Sequence, residues 1–356
     1  MRAPPHAPGR RAGEAGPVGL RPRGGSGDPG RSGELVALRA WSPQGAPPPP
    51  VLAVVGPTGV GKSALVLELA SSAWPARFGG LEAISADAMA VYRGLDIGTA
   101  KPTATERAVL PYHLLDIVEP DVAFSVADYQ HRVVRARNEI AAAGHAAVVV
   151  GGTGLYVRAA VDGLTLPGRF PAVAAALEAE ADAAGGLASL YERLLALDPV
   201  SAGRMLPGNR RRLVRALEVT IGSGRPFSSF GPGLGTYPEV PTVLVGVDLP
   251  GELLERRVRS RLAAQLDAGW LDEVARLLAR PAGLSQTAGQ ALGYAELAAH
   301  LRGACSLEEA RAEIVRRTLA LARRQRRWFR RDPRIRWVAA ENPLPEVLAF
   351  LEDSPT

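Results

Sequence analysis

Cysteine is nearly absent from this chain, which limits the chemistry the protein is built on. Cys305 is the single cysteine in 356 residues, so an internal disulfide framework and a cysteine-based metal cluster are excluded. A reducing compartment is therefore expected, and we predict a cytoplasmic protein. Long apolar runs are also missing. No stretch approaches the roughly 20 apolar residues that cross a bilayer, and prolines and glycines occupy the place of a signal peptide's apolar region. No membrane partner is expected.

Lysine is almost as scarce as cysteine. Lys62 and Lys101 are the two lysines, and arginine supplies every other long cationic side chain. A compact ammonium enters sites that a forked guanidinium cannot, so we interpret these positions as tight sites, the alternative being remnants of sequence drift. The net charge of +6 and the pI near 9.9 favour an anionic partner, although a charge of this size also serves solubility alone.

Changes in composition along the chain predict three regions. Residues 1–50 are rich in proline, glycine and arginine without apolar periodicity, so we predict a disordered extension. Residues 51–165 and 239–353 alternate short apolar runs with amphipathic stretches, which predicts a parallel sheet covered by helices. Residues 166–238 contain helical patterns and a Gly/Pro-rich exit, which predict an inserted helical subdomain that binds the partner.

The first strand and helix of this pattern enclose a phosphate-binding motif. The run "VLAVVG" precedes "KSALVLELA", and the pattern G-x-x-x-x-G-K-S lies between them. Backbone amides and the helix N-terminus cradle phosphate oxygens in such a loop, while the lysine adds charge and the serine hydroxyl binds Mg²⁺. The residues expected to bind phosphate are Gly56, Pro57, Thr58, Gly59, Val60, Gly61, Lys62 and Ser63, with Ser63 as the metal ligand. The predicted fold class is α/β, a P-loop NTPase-like parallel sheet with flanking helices and an inserted all-helical subdomain.

The acidic residue that nucleotide hydrolases place after a later apolar strand is missing. The strand "AAVVV" ends in Gly-Gly-Thr-Gly, and the nearest carboxylate is Asp87, at the end of "LEAISAD". Ligands of parallel sheets bind beyond the carboxyl ends of the strands, where Gly56, Asp87 and Gly151 all fall. The segment "SADAMAVYRGLDIGTAKP" favours a loop shaped around a substrate, the alternative for Asp87 being an ordinary helix cap.

An ordered series of motifs resembles the tRNA dimethylallyltransferases, also called tRNA isopentenyltransferases. It spans about residues 51–340 and consists of "GPTGVGKS", "ISAD" with "VYRGLDIGTAKP", "HLLDIVEP", "VVVGGTGLY", "DPVSAGRMLP" with "RRLVRALEV", "GWLDEV", "QALGYAEL" and "RRQRRWFRR". The resemblance implies transfer of a dimethylallyl group from dimethylallyl diphosphate to the exocyclic N6 amine of the tRNA adenosine immediately 3′ of the anticodon. The phosphate loop would hold the diphosphate leaving group, with Mg²⁺ as cofactor. We expect a monomer whose partners are tRNA and dimethylallyl diphosphate.

The same resemblance assigns roles to individual residues. Asp87 would be the catalytic base that takes the proton of the amine, while Thr153 and Arg261 fall where the family has further contacts with the diphosphate or substrate. The segments that align with tRNA contacts of the family comprise Asp87, Ala88, Met89, Ala90, Arg211, Arg212, Leu213, Val214 and Arg215. Helical spacing lets Arg211 and Arg215 share a face. Lys101 keeps two interpretations, proximity to phosphate or a structural salt bridge.

The basic run near the C-terminus is a second candidate surface for RNA. Its arginines surround Trp328 and either follow backbone phosphates or form a solvated helix face around a core tryptophan. They are Arg323, Arg324, Arg326, Arg327 and Arg330.

Four positions depart from the usual pattern of the family, among them Leu206, where a histidine is common, and Gly251, where an arginine is common. Ala88 and Ala90 stand where a small hydroxyl residue and a glutamine that helps read the adenine are usual. Two alternatives therefore accompany the transferase: a catalytically weakened tRNA-binding homologue, and a prenyltransferase or kinase that acts on a free nucleotide. The helical insertion and the basic run argue against the free nucleotide.

Overall fold

Six parallel strands form one sheet. The computed structural model describes residues 48, 51–231 and 233–353, so the extension predicted over residues 1–50 lies outside the described residues except for Pro48. The strands are β1 (Leu52–Val55), β2 (Leu81–Ser85), β3 (Tyr112–His113), β4 (Ala146–Gly151), β5 (Val243–Asp248) and β6 (Arg336–Ala339). Their order across the sheet is β3-β2-β4-β1-β5-β6, and neighbouring strands are parallel throughout.

Helices connect the strands and cover the sheet. They are α1 (Lys62–Ser71), α2 (Ala104–Val109), α3 (Val126–Ala142), α4 (Gly154–Asp162), α5 (Pro171–Asp182), α6 (Gly186–Leu197), α7 (Pro199–Ala202), α8 (Arg210–Ser223), α9 (Gly251–Asp267), α10 (Trp270–Leu278), α11 (Tyr294–Leu301), α12 (Leu307–Phe329) and α13 (Leu344–Glu352). In the part of the chain that the structure describes, none of them is long and apolar enough to cross a membrane.

The central strands are apolar along their whole length because helices cover both faces of the sheet. Every residue of β1 and of β4 is buried, as expected for parallel strands between two helical layers. The apolar runs "VLAVVG", "LEAISAD", "HAAVVVGG" and "TVLVGVDL" predict β1, β2, β4 and β5 within two residues of their observed ends. The edge strands were not predicted, since β3 has two residues and β6 buries only Val338.

Helices α5 to α8 have a hydrophobic core separate from that of the sheet. Its buried members are Leu177, Ala181, Leu190, Leu194, Ala202, Leu213, Val214, Ala216 and Leu217. These helices occupy the region 166–238, and the predicted α/β fold class with a helical insertion is confirmed. The boundaries at 51–165, 166–238 and 239–353 stay predictions.

The register of the sheet brings three loops to one edge. Val55 of β1 is paired with Gly151 of β4, and Ser85 of β2 with Val150 of β4, so the three strands end at nearly the same level. The phosphate loop, the segment that begins at Asp87 and the turn after Gly151 therefore lie side by side at the carboxyl edge of the sheet.

Candidate active site

The phosphate loop joins β1 to α1 and approaches the neighbouring strand closely. Gly56 has φ +140°, and a Cβ there would lie 2.4 Å from the carbonyl oxygen of Val247 in β5. Only glycine fits this approach and this backbone conformation. The close packing fixes the start of the loop against the sheet, and α1 begins directly at Lys62.

Lys62 extends back over its own loop. Its Nζ donates a hydrogen bond to the carbonyl oxygen of Pro57 at 2.7 Å. Burial lowers the pKa of Lys62 to about 8, although the nearby Asp87 carboxylate opposes this shift and the Arg261 guanidinium adds to it. Among the described residues, no carboxylate forms an ion pair with Lys62. The site therefore holds a half-buried cation that Asp87 stabilises without an ion pair, and a bound anion would complete its neutralisation.

Asp87 lies in a turn that uses its carboxylate. Its Oδ1 accepts hydrogen bonds from the amides of Met89 at 2.8 Å and Ala90 at 3.3 Å. The amide of Ala88 donates to Oγ1 of Thr153 at 3.0 Å. The helix-cap alternative is wrong, since a turn and no helix follows Asp87. The backbone of the segment, and not the side chains at positions 88 and 90, orients the carboxylate.

Helix α9 adds two arginines to the phosphate loop. Both terminal nitrogens of Arg261 lie 3.3 Å from Oγ1 of Thr58, and Nη1 of Arg257 donates to the carbonyl oxygen of Val60 at 3.1 Å. Burial lowers the pKa of Arg261, with Asp87 opposing the shift, but a guanidinium stays protonated in proteins. The predicted residue Arg261 thus lies beside Lys62 and increases the positive charge of the loop.

These groups border one cavity of about 300 Å³. Lys62, Ser63, Asp87, Arg261 and Ala90 all contribute to its wall. The complete lining comprises Thr58, Gly59, Gly61, Lys62, Ser63, Ala64, Ser85, Asp87, Ala90, Thr99, Ala100, Lys101, Pro102, Tyr112, Leu115, Val150, Gly151, Gly152, Arg261 and Gln325. Thr153 is not among these lining residues, and its side chain contacts the Asp87 segment through the Ala88 amide. The cavity therefore combines an anion-binding end with a carboxylate.

A family model described as IPP transferase matches residues 90–332. The chain belongs to this family. The tRNA dimethylallyltransferase of Streptomyces coelicolor is 47% identical over 316 residues, which cover 87% of this chain and 98% of that protein. The corresponding protein of Thermobifida fusca is 47% identical over 300 residues, covering 82% of this chain and 91% of the relative. The crystal structure of the tRNA isopentenylpyrophosphate transferase from Bacillus halodurans has a TM-score of 0.60 at 34% identity, covering 85% of this chain and 97% of that one. The predicted family, its P-loop NTPase-like fold and its prenyl-transfer activity on tRNA are confirmed.

Lys101 of this IPP transferase is a structural cation. Its side chain is 2% exposed and forms ion pairs with Asp96 at 2.6 Å and Asp116 at 2.5 Å. Its Nζ also donates to the carbonyl oxygen of Tyr92 at 2.5 Å. Burial alone would raise the pKa of Asp116, but hydrogen bonds from Lys101 and Arg107 hold it below its ordinary value. Of the two interpretations for Lys101, the salt bridge is the observed one.

Sequence reasoning missed the residue that supports the loop around Lys101. The buried carboxylate of Glu273 accepts hydrogen bonds from the amides of Asp96 at 2.9 Å, Ile97 at 2.8 Å and Gly98 at 3.3 Å. It also accepts one from the hydroxyl of Tyr294 at 2.7 Å. Glu273 and Tyr294 lie in the motifs "GWLDEV" and "LGYAEL". The motifs therefore contained both residues, but they did not indicate that these residues support the loop.

The predicted tRNA-binding segment of the IPP transferase divides into two sets. Arg211 and Arg212 are exposed on α8. Leu213 and Val214 are buried in the core of the insertion, so their side chains do not face an RNA partner. Arg215 does not share an open face with Arg211. It is half-buried, pairs with Glu218 at 2.8 Å, and donates to the carbonyl oxygens of residues 167 and 168 at 2.9 and 3.0 Å.

The basic run in α12 is similarly divided. Arg326 and Arg330 each form an ion pair with Asp248, at 2.7 and 2.9 Å, and so attach the helix to β5. Trp328 packs against the core and lies where a Cβ at residue 154 would fall. Arg323, Arg324 and Arg327 are exposed. Trp328 therefore belongs to the core, as the second interpretation has it, while contact of the exposed arginines with RNA phosphates stays a prediction.

Proposed function

We propose that this chain transfers the dimethylallyl group of dimethylallyl diphosphate to N6 of the adenosine immediately 3′ of the anticodon in tRNA. The observation that supports this most directly is the shared cavity, with Lys62, Arg261 and Asp87 all in its lining. The printed names of the relatives, tRNA dimethylallyltransferase and tRNA isopentenylpyrophosphate transferase, agree with such a reaction.

The anion-binding end suits a diphosphate. The amides at the N-terminus of α1, which begins at Lys62, are suited to a phosphate. Lys62 and Arg261 supply two positive charges that no carboxylate among the described residues neutralises through an ion pair. A diphosphate that departs with its negative charge is stabilised by such preorganised donors more strongly than the uncleaved donor molecule is.

The residues also fit Mg²⁺. This ion usually takes one or two protein oxygens and completes its octahedron with phosphate oxygens and water. Ser63 provides a hydroxyl on the cavity wall, and we propose that it holds the ion. No group of three or more histidine, cysteine or carboxylate ligands occurs in the described ranges, so binding of the ion depends on the diphosphate. The ion would supply additional neutralisation of the leaving group.

Asp87 is the proposed base. The N6 amine forms a bond to C1 of the dimethylallyl group as the C1–O bond to diphosphate breaks, and the amine proton moves to the Asp87 carboxylate. The amides of Met89 and Ala90 both bind Oδ1, which fixes the orientation of the carboxylate. Because backbone groups do this, the alanines at positions 88 and 90 do not disturb the base. This favours the active enzyme over the weakened homologue.

The acceptor is a single base that must reach a cavity at the edge of the sheet. An adenine within a stacked loop has to leave its stack to do so, as in other enzymes that modify bases. We propose that Arg211 and Arg212 on the insertion bind the RNA backbone, and that the segment 87–90 contacts the adenine. A monomeric, cytoplasmic enzyme is the proposed form, in agreement with the single cysteine.

Mass-spectrometric nucleoside analysis tests the proposal. Bulk tRNA is incubated with the purified chain, Mg²⁺ and dimethylallyl diphosphate, and prenylated adenosine is the expected product. The isosteric variant Asp87→Asn is expected to lose at least about 100-fold in rate, because general-base catalysis typically contributes this much, while tRNA binding is retained. Asp121→Asn, which alters an exposed carboxylate paired with Arg280, is the matched control and keeps the wild-type rate. Equal activity in Asp87→Asn removes Asp87 from the mechanism.

A further inference from the structure

One glutamine joins the phosphate loop to the turn after β4. Gln325 lies in α12, and its Oε1 accepts the amide hydrogen of Thr58 at 2.8 Å. Its Nε2 donates to the carbonyl oxygen of Gly152 at 2.9 Å. The same side chain borders the cavity. A single carboxamide therefore ties together two loops that lie on different strands.

The turn has a glycine at position 152, because a larger residue there would collide with the Gln325 side chain. A Cβ on Gly152 would lie 2.5 Å from Nε2 of Gln325, and the backbone of Gly152 is outside the left-handed region. Its neighbour Gly151 is constrained differently, because a Cβ there would lie 2.2 Å from the backbone oxygen of Ala86. Gly152 thus makes room for a side chain, whereas Gly151 allows two backbones to approach.

The link continues from Gly152 to the proposed base. The next residue, Thr153, donates its amide hydrogen to the oxygen of Ala86 at 3.1 Å and accepts the Ala88 amide hydrogen on Oγ1 at 3.0 Å. Residues 86 and 88 flank Asp87 on both sides. A continuous series of hydrogen bonds therefore runs from the phosphate loop, through Gln325 and the turn, to the segment that holds Asp87.

A carboxamide satisfies both ends of the bridge, whereas a charged side chain does not. A carboxylate accepts from Thr58 but cannot donate to Gly152, and an arginine or lysine donates but cannot accept. Gln325 stands between Arg324 and Arg326 in a run of arginines, and it is the one uncharged polar residue in "RRQRRWFRR". The composition of the helix makes this exception conspicuous, and the two hydrogen bonds account for it.

We infer that Gln325 is a positioning residue that fixes the phosphate loop relative to Asp87. The inference rests on the proposed function, because it concerns the separation between the leaving diphosphate and the base. A loop whose amides are held in place before the donor binds stabilises the transition state without a reorganisation cost. Gln325 acts through the loop and the turn and takes no part in the proton transfer.

Steady-state kinetics of Gln325→Met test the inference. Methionine keeps the length and approximate volume of the side chain but loses both hydrogen bonds. We expect kcat to fall roughly 10- to 100-fold, which is the effect of losing two hydrogen bonds of ordinary strength. The KM for dimethylallyl diphosphate should rise only a few-fold. The split is expected because the separation of the two groups matters most in the transition state.

The matched control is Gln130→Met. Gln130 is also half-buried, and its Nε2 donates to the carbonyl oxygen of Leu164 at 2.9 Å, away from the cavity. A structural effect alone lowers the thermal unfolding midpoint of both variants similarly and leaves the kcat of the folded fraction unchanged. Loss of kcat in Gln325→Met alone, at similar unfolding midpoints, supports the positioning role. Equal kcat in the two variants overturns it.

A double-mutant cycle provides a second measurement. Gly152→Ala is expected to displace the Gln325 carboxamide and to reduce kcat about as much as Gln325→Ala does. In the double variant the smaller side chain leaves room for the new methyl group, so the two losses do not add. Additive losses overturn the inference while prenylated adenosine from the wild type upholds the proposed function. A wild-type chain that produces no prenylated adenosine removes both.

Discussion

The two lysines of this chain border the same cavity from different loops, but they differ in how their charges are paired. Lys62, in the phosphate loop, has a carbonyl oxygen of its own loop as its hydrogen-bond partner, and burial lowers its pKa to about 8. Lys101, in the loop after Asp87, is enclosed by two carboxylates and a carbonyl oxygen. Lys101 is neutralised by ion pairs within the protein, whereas the half-buried Lys62 forms no ion pair with any described residue.

Within one cavity wall, Lys62 is therefore available to bind a ligand, whereas Lys101 stabilises the fold. A buried charge without a counter-ion destabilises the fold and gains when an anion arrives, whereas a paired charge contributes only as long as both partners remain. The scarcity of lysine indicated that both positions are special. It did not indicate that their roles differ, because nothing in the motifs "VYRGLDIGTAKP" and "HLLDIVEP" shows that Asp96 and Asp116 pair with Lys101.

Replacing Lys62 gives the largest expected effect. Lys62→Met removes a desolvated charge at the proposed leaving group, and we expect kcat/KM for the donor to fall about 1,000-fold, about 4 kcal/mol of transition-state stabilisation. The free energy of unfolding is expected to rise, because an uncompensated buried charge is lost. Kinetics and urea unfolding of the same variant measure both.

Lys62→Arg sharpens the comparison. The tight-site interpretation predicts that a guanidinium does not restore activity, since its fork is larger than an ammonium. Wild-type activity in this variant contradicts that interpretation, and lower stability in Lys62→Met contradicts the assignment of Lys62 as a cation without a counter-charge.

Lys101 is expected to give the reverse result. Lys101→Met leaves Asp96 and Asp116 facing each other without their shared cation. Removing one partner of a buried ion pair costs roughly 3–5 kcal/mol, and we expect about 3 kcal/mol here because Asp96 is 56% exposed. The urea midpoint measures this loss. At temperatures where the variant remains folded, the KM for the donor changes little, and a large rise in that KM would assign Lys101 to the diphosphate.

The features that the sequence predicted depend on local signals. The phosphate loop, the four central strands and the helices of the insertion follow from glycine spacing and apolar periodicity within short segments. The edge strands β3 and β6 lack such a signal, since β3 has two residues and β6 is largely exposed. Asp87 and Arg261 were assigned by the family resemblance, and both line the same cavity in the structure.

The remaining features depend on contacts between distant parts of the chain. Gln325 and Thr58 are 267 positions apart, and Glu273 supports a loop about 175 positions before it. No spacing rule connects such residues. The burial of Leu213 and Val214, in contrast, follows from a local pattern, because the helical period of α8 places them on its apolar face. The family alignment included them with their exposed neighbours, and helical periodicity argued against a contact with RNA.

The pH dependence of donor use should report the state of Lys62. Its pKa of about 8 is below the ordinary value of a lysine, so Lys62 in the free enzyme is charged below pH 8 and becomes neutral above it. A diphosphate binds the charged form. We therefore expect kcat/KM for the donor to fall up to tenfold per pH unit above about pH 8. Bound diphosphate favours the ammonium, so kcat should stay constant to higher pH.

Pyrophosphate affinity provides the control for this pH effect. In the wild type the affinity should weaken above about pH 8, and in Lys62→Met this dependence should be absent. The same decrease in both proteins would assign the titration to another group.

The smallest expected effect extends the comparison to neighbouring arginines of α8. Arg210 forms ion pairs with Glu178 at 2.7 Å and Asp182 at 2.6 Å, while Arg211 and Arg212 are exposed and form no ion pair with any described residue. An unpaired cation is available to an RNA phosphate. Arg211→Gln/Arg212→Gln should therefore weaken tRNA binding several-fold and reduce the slope of log affinity against log salt by about 1 for each arginine.

Arg210→Gln removes the same charge from the same helix, but its positive charge is already neutralised within the insertion. It should leave the slope nearly unchanged and have little effect on stability, because ion pairs at the surface contribute little. Titrations of labelled tRNA at four or more salt concentrations measure these slopes. An equal reduction in slope for each of the three arginines would show that Arg210 contacts the RNA despite its ion pairs.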